Sequence, residues 1–249
     1  MSHYNVWPVP TISYGMSTIF EFFKIVLYIP LFNALIFFSN FIPNHDLGLS
    51  IIILTIVIRF LFFPLSIKSQ RSQKALNAIN PHIQAIKEKH KHDQAAQGAA
   101  MMQLYKEHNI NPIAGCLPLL IQLPILITLY RVFIAGLNPQ SLAMLYPFVH
   151  NPGAINPFFL GFISIAGRNV VLAVLAGVLQ FIQAKQSMAY MKSSGGANPQ
   201  MAALNTQMLY FFPVMIVIIG WNLQAGLILY WITTTLFSIG EQFYLRRTK

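Results

Sequence analysis

Long apolar segments alternate with short polar ones along most of the chain. Residues 47–65 are apolar apart from Arg59. A helix of this length rises about 28 Å, which is enough to cross the hydrocarbon core of a bilayer. Four further apolar segments follow, at 115–136, 169–188, 207–222 and 225–243. The pattern therefore predicts an all-α membrane protein with five transmembrane helices.

A charged segment, residues 66–110, separates the first two predicted spans. Apolar residues in its first half recur three to four positions apart, as on one face of a helix, at Leu76, Ile79, Ile83 and Ile86. We expect two helices, at 68–91 and 94–108, which form a helical hairpin with its tip near His90–Asp93.

Residues 17–42 precede the first predicted span and admit two interpretations. They are apolar enough to cross a membrane, but they contain Glu21, Lys24, Pro30 and Asn33. Early charges and a mid-segment proline favour an interfacial helix that lies along the membrane. A sixth span is the alternative. On the first interpretation, an N-terminal extracytoplasmic segment, 1–46, precedes a five-span core at 47–249.

Composition and charge agree with a membrane protein and indicate its orientation. Of the residues, 55% are hydrophobic and 9% are charged, against about 25% charged residues in soluble domains. The 16 Lys and Arg residues outnumber the 6 Asp and Glu residues. They concentrate in the hairpin and at the C-terminus, and cytoplasmic segments collect such residues. We therefore expect the N-terminus outside and the C-terminus in the cytoplasm.

Arg59 is the most informative single residue, because it lies inside a predicted span. Arginine at the centre of a membrane helix costs about 2.5–3.5 kcal/mol on insertion scales, so it normally faces protein or water and marks a functional site. The alternative is that its side chain extends along the helix to reach the cytoplasmic headgroups.

Other predicted spans carry polar residues that a lipid-facing helix would avoid. Thr55 shares a helix face with Arg59, and Gln122 lies at a similar depth in the second span. The predicted third and fifth spans add polar faces of their own, namely Gln180, Gln183 and Ser187, and Trp231, Thr235 and Ser238. Together these residues predict a hydrophilic groove with one positive charge. Ordinary hydrogen bonding between helices is the alternative for each residue alone.

Catalytic and metal-binding patterns do not emerge from the sequence. HExxH, GxSxG and P-loop motifs are missing, and no carboxylate lies in the core of a predicted span. Coupled transport, which usually needs such acids, is therefore disfavoured. Four histidines of the hairpin, His82, His90, His92 and His108, lack strong ligand spacing. We expect no enzyme activity, no cofactor and no metal.

Several short motifs in and between the spans resemble the YidC family of membrane protein insertases. They are Arg59 with Pro64-Leu65, Asn111-Pro112, Gly115-Cys116, Pro118-Leu119-Leu120-Ile121-Gln122, Pro124, Phe181-Ile182-Gln183, Phe212-Pro213, Gly226-Leu227 and Leu229-Tyr230-Trp231. The resemblance runs from about residue 18 to the C-terminus, and 111–124 is its most specific part. The chain is similar to the short form of the family, without a large extracytoplasmic domain.

The resemblance implies an insertase and chaperone of the bacterial plasma (inner) membrane that uses no nucleotide. The resemblance places its substrate-binding groove at Arg59, Gln183 and Trp231. The polar helix faces described above add Thr55, Gln122, Gln180 and Thr235 to that groove. Hairpin residues that would receive nascent membrane proteins are Lys68, Arg71, Lys74, Lys87, Lys89 and Lys91. Ribosomal RNA would contact the tail at Arg246, Arg247 and Lys249. Membrane lipids and the Sec translocon are the other expected partners, and no small-molecule substrate is expected.

The chain departs from the family at both ends. Its basic tail is short, and residues 17–42 are longer and more apolar than the family's usual interfacial helix. Two other functions stay open: an anion-conducting channel or transporter, in which Arg59 attracts the anion, and a structural assembly subunit. A charged hairpin of this size suits a protein that receives clients better than it suits a carrier.

Overall fold

A computed structural model describes residues 21–111, 117–136, 139–153, 155–192 and 199–247. These ranges are mostly helical. The helices are α1 (Glu21–Phe41), α2 (Leu47–Leu61), α3 (Phe63–Ala78), α4 (Asn80–Lys89), α5 (Gln94–Glu107), α6 (Leu117–Gly136), α7 (Val170–Lys192), α8 (Pro199–Asn222) and α9 (Ala225–Arg247). Between α6 and α7 lie a short 3₁₀ helix, Pro139–Met144, and an antiparallel pair of strands, β1 (Phe158–Phe159) and β2 (Ile163–Ser164).

Helix α1 buries one face against α2 and α6. The fully buried side chains on this face are Tyr28, Phe32, Leu35 and Ile36. Buried Asn33 donates to Met144 O over 3.2 Å and accepts from Tyr146 N over 2.6 Å. The start of the interfacial helix that we predicted at 17–42, residues 17–20, lies outside the described ranges.

The first predicted span, 47–65, is shorter in the structure than the sequence suggested. Helix α2 has 15 residues and ends before Phe62, where the chain bends by 60° into α3. Pro64 lies in the first turn of α3. Proline has no N–H to donate inside a helix, but the first turn needs no such donor, so the proline begins a new helix here.

The charged segment forms three helices, whereas we predicted two. The predicted helix at 68–91 is broken at Ile79, and Pro81 occupies the first turn of α4. The turn at His90–Asp93 separates α4 from α5, where Asp93 accepts from Ala96 N over 2.9 Å. A small apolar cluster joins the two helices through Ile79, Ile83 and Leu104.

Helices α7, α8 and α9 pack together at the C-terminal end of the chain. The helices α7 and α8 approach closely, because a Cβ added to Gly177 would lie 3.1 Å from Pro213 O. Both helices extend into the polar stretch between the apolar segments 169–188 and 207–222, of which residues 193–198 lie outside the described ranges.

Two of the described helices are long and apolar enough to cross a membrane, α1 and the Val170–Ala189 part of α7. The bent pair α2–α3 is a third candidate, whereas α6 and α8 have shorter apolar stretches, Gln122–Ala135 and Leu209–Asn222. Large apolar side chains are exposed on several helices, for example Leu61, Val171 and Ile218. Such exposure suits contact with lipid. The count of five spans stays a prediction.

The hydrophilic cavity around Arg59

A cavity of about 430 Å³ lies between helices α2, α3, α6, α7 and α9. It has room for roughly a dozen water molecules at about 30 Å³ each. Six of the seven residues predicted for the groove line it, namely Arg59, Gln122, Gln180, Gln183, Trp231 and Thr235. Ser187 and Ser238, which share helix faces with them, also line it. The structure thus brings together polar residues from four of the predicted spans.

Thr55, the seventh predicted residue, lies in a smaller adjoining pocket that also includes Arg59 and Gln122. Its side chain is 1% exposed, and its hydroxyl donates to Ile51 O over 2.6 Å. Because that hydroxyl proton is used inside α2, Thr55 shapes the pocket wall without offering this donor to a ligand.

The Arg59 side chain is half-buried and lines the cavity. Within the described ranges its guanidinium makes no hydrogen bond or ion pair with another protein group. Within the same ranges, none of its nitrogens is both fully buried and without a hydrogen-bond partner. A guanidinium has five N–H donors, so these donors remain available to water or to a ligand in the cavity.

Hydrogen bonds between helices and within α9 hold the other polar side chains of the cavity wall. Gln122 Nε2 donates to Tyr230 Oη, which joins α6 to α9. Trp231 Nε1 donates to Gln180 Oε1 over 3.3 Å, which joins α9 to α7. The Thr235 hydroxyl donates to Trp231 O over 2.8 Å. These contacts fix the wall while Arg59 stays unpaired.

The sequence reasoning missed Glu241 as a cavity residue. Its side chain is 3% exposed, lines the cavity and accepts from Ser66 Oγ over 3.0 Å. The face of Trp231, Thr235 and Ser238, extended by one turn, reaches Glu241. That periodicity could have identified the carboxylate. The sequence placed Glu241 outside the core of the predicted fifth span, and the structure shows that helix packing turns its side chain into the cavity.

The hairpin cations differ from Arg59, because most of them face outward. Five of the six are exposed, namely Lys68, Arg71, Lys87, Lys89 and Lys91, and Lys74 is half-buried. In the tail, Arg246 donates to Gln186 O over 2.6 Å, and Arg247 lies 4.3 Å from the centre of the Phe243 ring. Both arginines are exposed, and Lys249 lies outside the described ranges.

No group of three His, Cys, Asp or Glu residues within the described ranges could hold a metal ion. Two of the histidines considered in the sequence, His82 and His108, have ring centres 6.0 Å apart on the hairpin. The single cysteine, Cys116, lies outside the described ranges. The chemistry that the described cavity offers is hydrogen bonding and charge.

Comparison with known proteins identifies the family to which the chain belongs. A family model described as 60Kd inner membrane protein matches residues 37–249. A protein of Fusobacterium nucleatum named membrane protein insertase YidC is 34% identical over 223 residues, which cover 87% of this chain and 97% of that relative.

Two longer relatives carry the same name. The protein of Geobacter sulfurreducens is 31% identical over 221 residues, and that of Francisella tularensis subsp. novicida is 35% identical over 225 residues. The matches cover 88% and 87% of this chain but 37% of each relative, so the chain spans little more than a third of their length. The match to the family model and these relatives together show that the chain belongs to the YidC family of bacterial inner membrane proteins.

Proposed function

We propose that this chain inserts membrane proteins into the bilayer by receiving polar parts of its clients in the cavity around Arg59. The observation that carries the proposal is an arginine that lines a polar cavity and makes no hydrogen bond or ion pair with the described residues. The names of its relatives, membrane protein insertase, agree with this function. No contact among the described residues favours the alternative of an anion channel.

Electrostatics explain how such a cavity lowers the barrier for a client. A short extracytoplasmic tail must cross the hydrocarbon, where an isolated charge is costly. An acidic residue of the tail would accept hydrogen bonds from Arg59, and other polar groups would bind to the glutamines and to Trp231. The apolar segment that follows would move into lipid by its own hydrophobicity. No nucleotide hydrolysis or covalent step is needed.

The proposal includes five spans, with the N-terminus outside and α1 lying along the outer surface. The contacts of two side chains support that position for α1. Asn33 bonds to Met144 O and Tyr146 N, and Asn40 donates to His150 O over 2.7 Å. Contacts along residues 144–150, which connect α6 to the strands, suit a helix that follows the surface. Its length and hydropathy would also allow a sixth span.

The hairpin α4–α5 would receive clients on the cytoplasmic side. Its exposed cations, Lys87, Lys89 and Lys91, surround the turn between the two helices. Clustered cations bind phosphate, so ribosomal RNA is a suitable partner for this surface and for Arg246 and Arg247. The Sec translocon, chaperone activity and lipid contacts belong to the same proposal.

Replacing Arg59 tests the proposal. The protein is reconstituted into liposomes, and insertion of a single-span client with an acidic extracytoplasmic tail is measured by protease protection. We expect Arg59→Ala to reduce the insertion rate about tenfold, because a desolvated charge-assisted pair contributes about 1–2 kcal/mol. Arg59→Lys retains the charge and should preserve most of the rate.

A client with an uncharged tail is the control for general damage to the protein. Arg59→Ala should slow this client much less than the acidic one, because no ion pair is lost. Insertion of the acidic client at the wild-type rate by Arg59→Ala would show that Arg59 does not bind the tail.

A further inference from the structure

Glu241 forms no ion pair among the described residues, although it is almost fully buried in the cavity wall, and Arg59 acts on it only at longer range. Ser66 Oγ donates to one of its carboxylate oxygens over 3.0 Å. The other oxygen, Oε1, is buried without a hydrogen-bond partner. Within the described ranges no Lys, Arg or His nitrogen lies within 4 Å of it. A buried carboxylate in this state is costly unless a donor or a cation joins it.

The next residue adds a second unpartnered acceptor to the cavity wall. Gln242 is 6% exposed, and its Oε1 is also buried without a partner. Both residues line the cavity, next to Ser66 on α3. Two unpartnered acceptor oxygens on adjacent residues suit a group that only donates, and an ammonium or guanidinium group does so.

Glu241 lies nearer the proposed cytoplasmic side than Arg59. Helices α2 and α9 run side by side in the same direction, because Gly226 lies against Ile51 and the Phe60 and Phe237 rings are 5.1 Å apart. Glu241 follows Phe237 by one helical turn, which is about 6 Å. The cavity thus has a positive group at one depth and a negative group about one turn away.

We propose that Glu241 forms a second subsite of the cavity, which binds a basic group of the client, a Lys or Arg side chain. This subsite rests on the proposed function, since it acts on the same client segment as Arg59. An extended chain advances about 3.3 Å per residue, so two residues span the distance between the two charges. The cavity therefore selects tails in which a basic residue lies about two positions to the cytoplasmic side of an acidic one.

The test uses the full-length protein in liposomes and three matched clients. Each client carries one Asp in its tail, and the residue two positions to the cytoplasmic side is Lys, Gln or Glu. Protease protection gives the insertion rates. For the wild type we expect the Lys client to insert about five to ten times faster than the Glu client, the size of one partly buried ion pair.

Two variants of Glu241 identify the source of that preference. Glu241→Gln keeps the shape of the side chain and should bring the ratio of the Lys rate to the Glu rate close to one. Glu241→Lys should invert the ratio, which a merely damaged fold cannot do. A wild type without a preference, or a Gln variant that keeps the wild-type ratio, would overturn the subsite.

Arg59→Ala with the Gln client separates this inference from the proposed function. A normal rate there would defeat the role of Arg59, whatever the ratio at Glu241. A reduced rate there, with an unchanged ratio in Glu241→Gln, would defeat the second subsite alone.

Discussion

Asp46 anchors the connection between α6 and α7 to the start of α2, and its removal should loosen that connection. One carboxylate oxygen accepts from Leu49 N over 3.0 Å and caps α2. The other accepts from Leu160 N over 2.7 Å, at the turn between β1 and β2. Leu160 has a φ of +53°, a left-handed conformation that is unfavourable for leucine, so the turn depends on this bond.

The expected loss for Asp46→Ala follows from these two bonds. A lost helix cap costs about 1 kcal/mol. The Leu160 N–H is only partly buried, so leaving it without an acceptor costs about 1–2 kcal/mol more. We attribute about 2–3 kcal/mol to local opening of the turn, which should raise hydrogen exchange of the Leu160 amide roughly 30- to 150-fold. Mass spectrometry of peptides that contain β1 and β2 measures this rate of hydrogen exchange.

Two further variants refine the Asp46 test. Asp46→Asn keeps one acceptor oxygen, so it should retain the cap and lose only the bond to Leu160. Asp93→Ala removes a similar cap at the exposed start of α5, where Asp93 accepts from Ala96 N, and should leave exchange around Leu160 unchanged. Unchanged exchange at Leu160 in Asp46→Ala would refute the anchoring role.

Two other predictions concern helix packing and the hairpin. Gly177→Ala should lower the free energy of unfolding by about 1–3 kcal/mol, because the new Cβ would lie 2.3 Å from Val217 Cγ2 and 3.1 Å from Pro213 O. Gly98→Ala is the matched control. Open space surrounds Gly98, so this change should stabilise α5 slightly. Denaturant titration of both variants decides this, and equal effects would contradict the close packing of α7 and α8. Deleting 70–108 should impair growth of a strain depleted of its own insertase while leaving membrane integration intact, and full complementation would exclude a receiving role for the hairpin.

Most helices could be predicted from the sequence, because apolar length and breaking residues are local properties. The apolar segment at 225–243 lies within α9, and the one at 169–188 lies within α7 apart from its first residue. The bend at Phe62 and the break at Ile79 were missed, although Pro64 and Pro81 follow them two residues later. A proline suits the first turn of a helix, so in a sequence it marks a place where a helix can begin. It does not say how far the chain bends there.

The sequence by itself determined that Arg59 is exceptional and that polar residues repeat on the faces of several helices. Only the tertiary structure decided that these faces meet in one cavity, that Glu241 joins them and that Asp46 reaches Leu160 far along the chain. The reason is physical. Periodicity records which side of a helix avoids lipid, whereas the partner of that side depends on packing between segments that are distant in sequence.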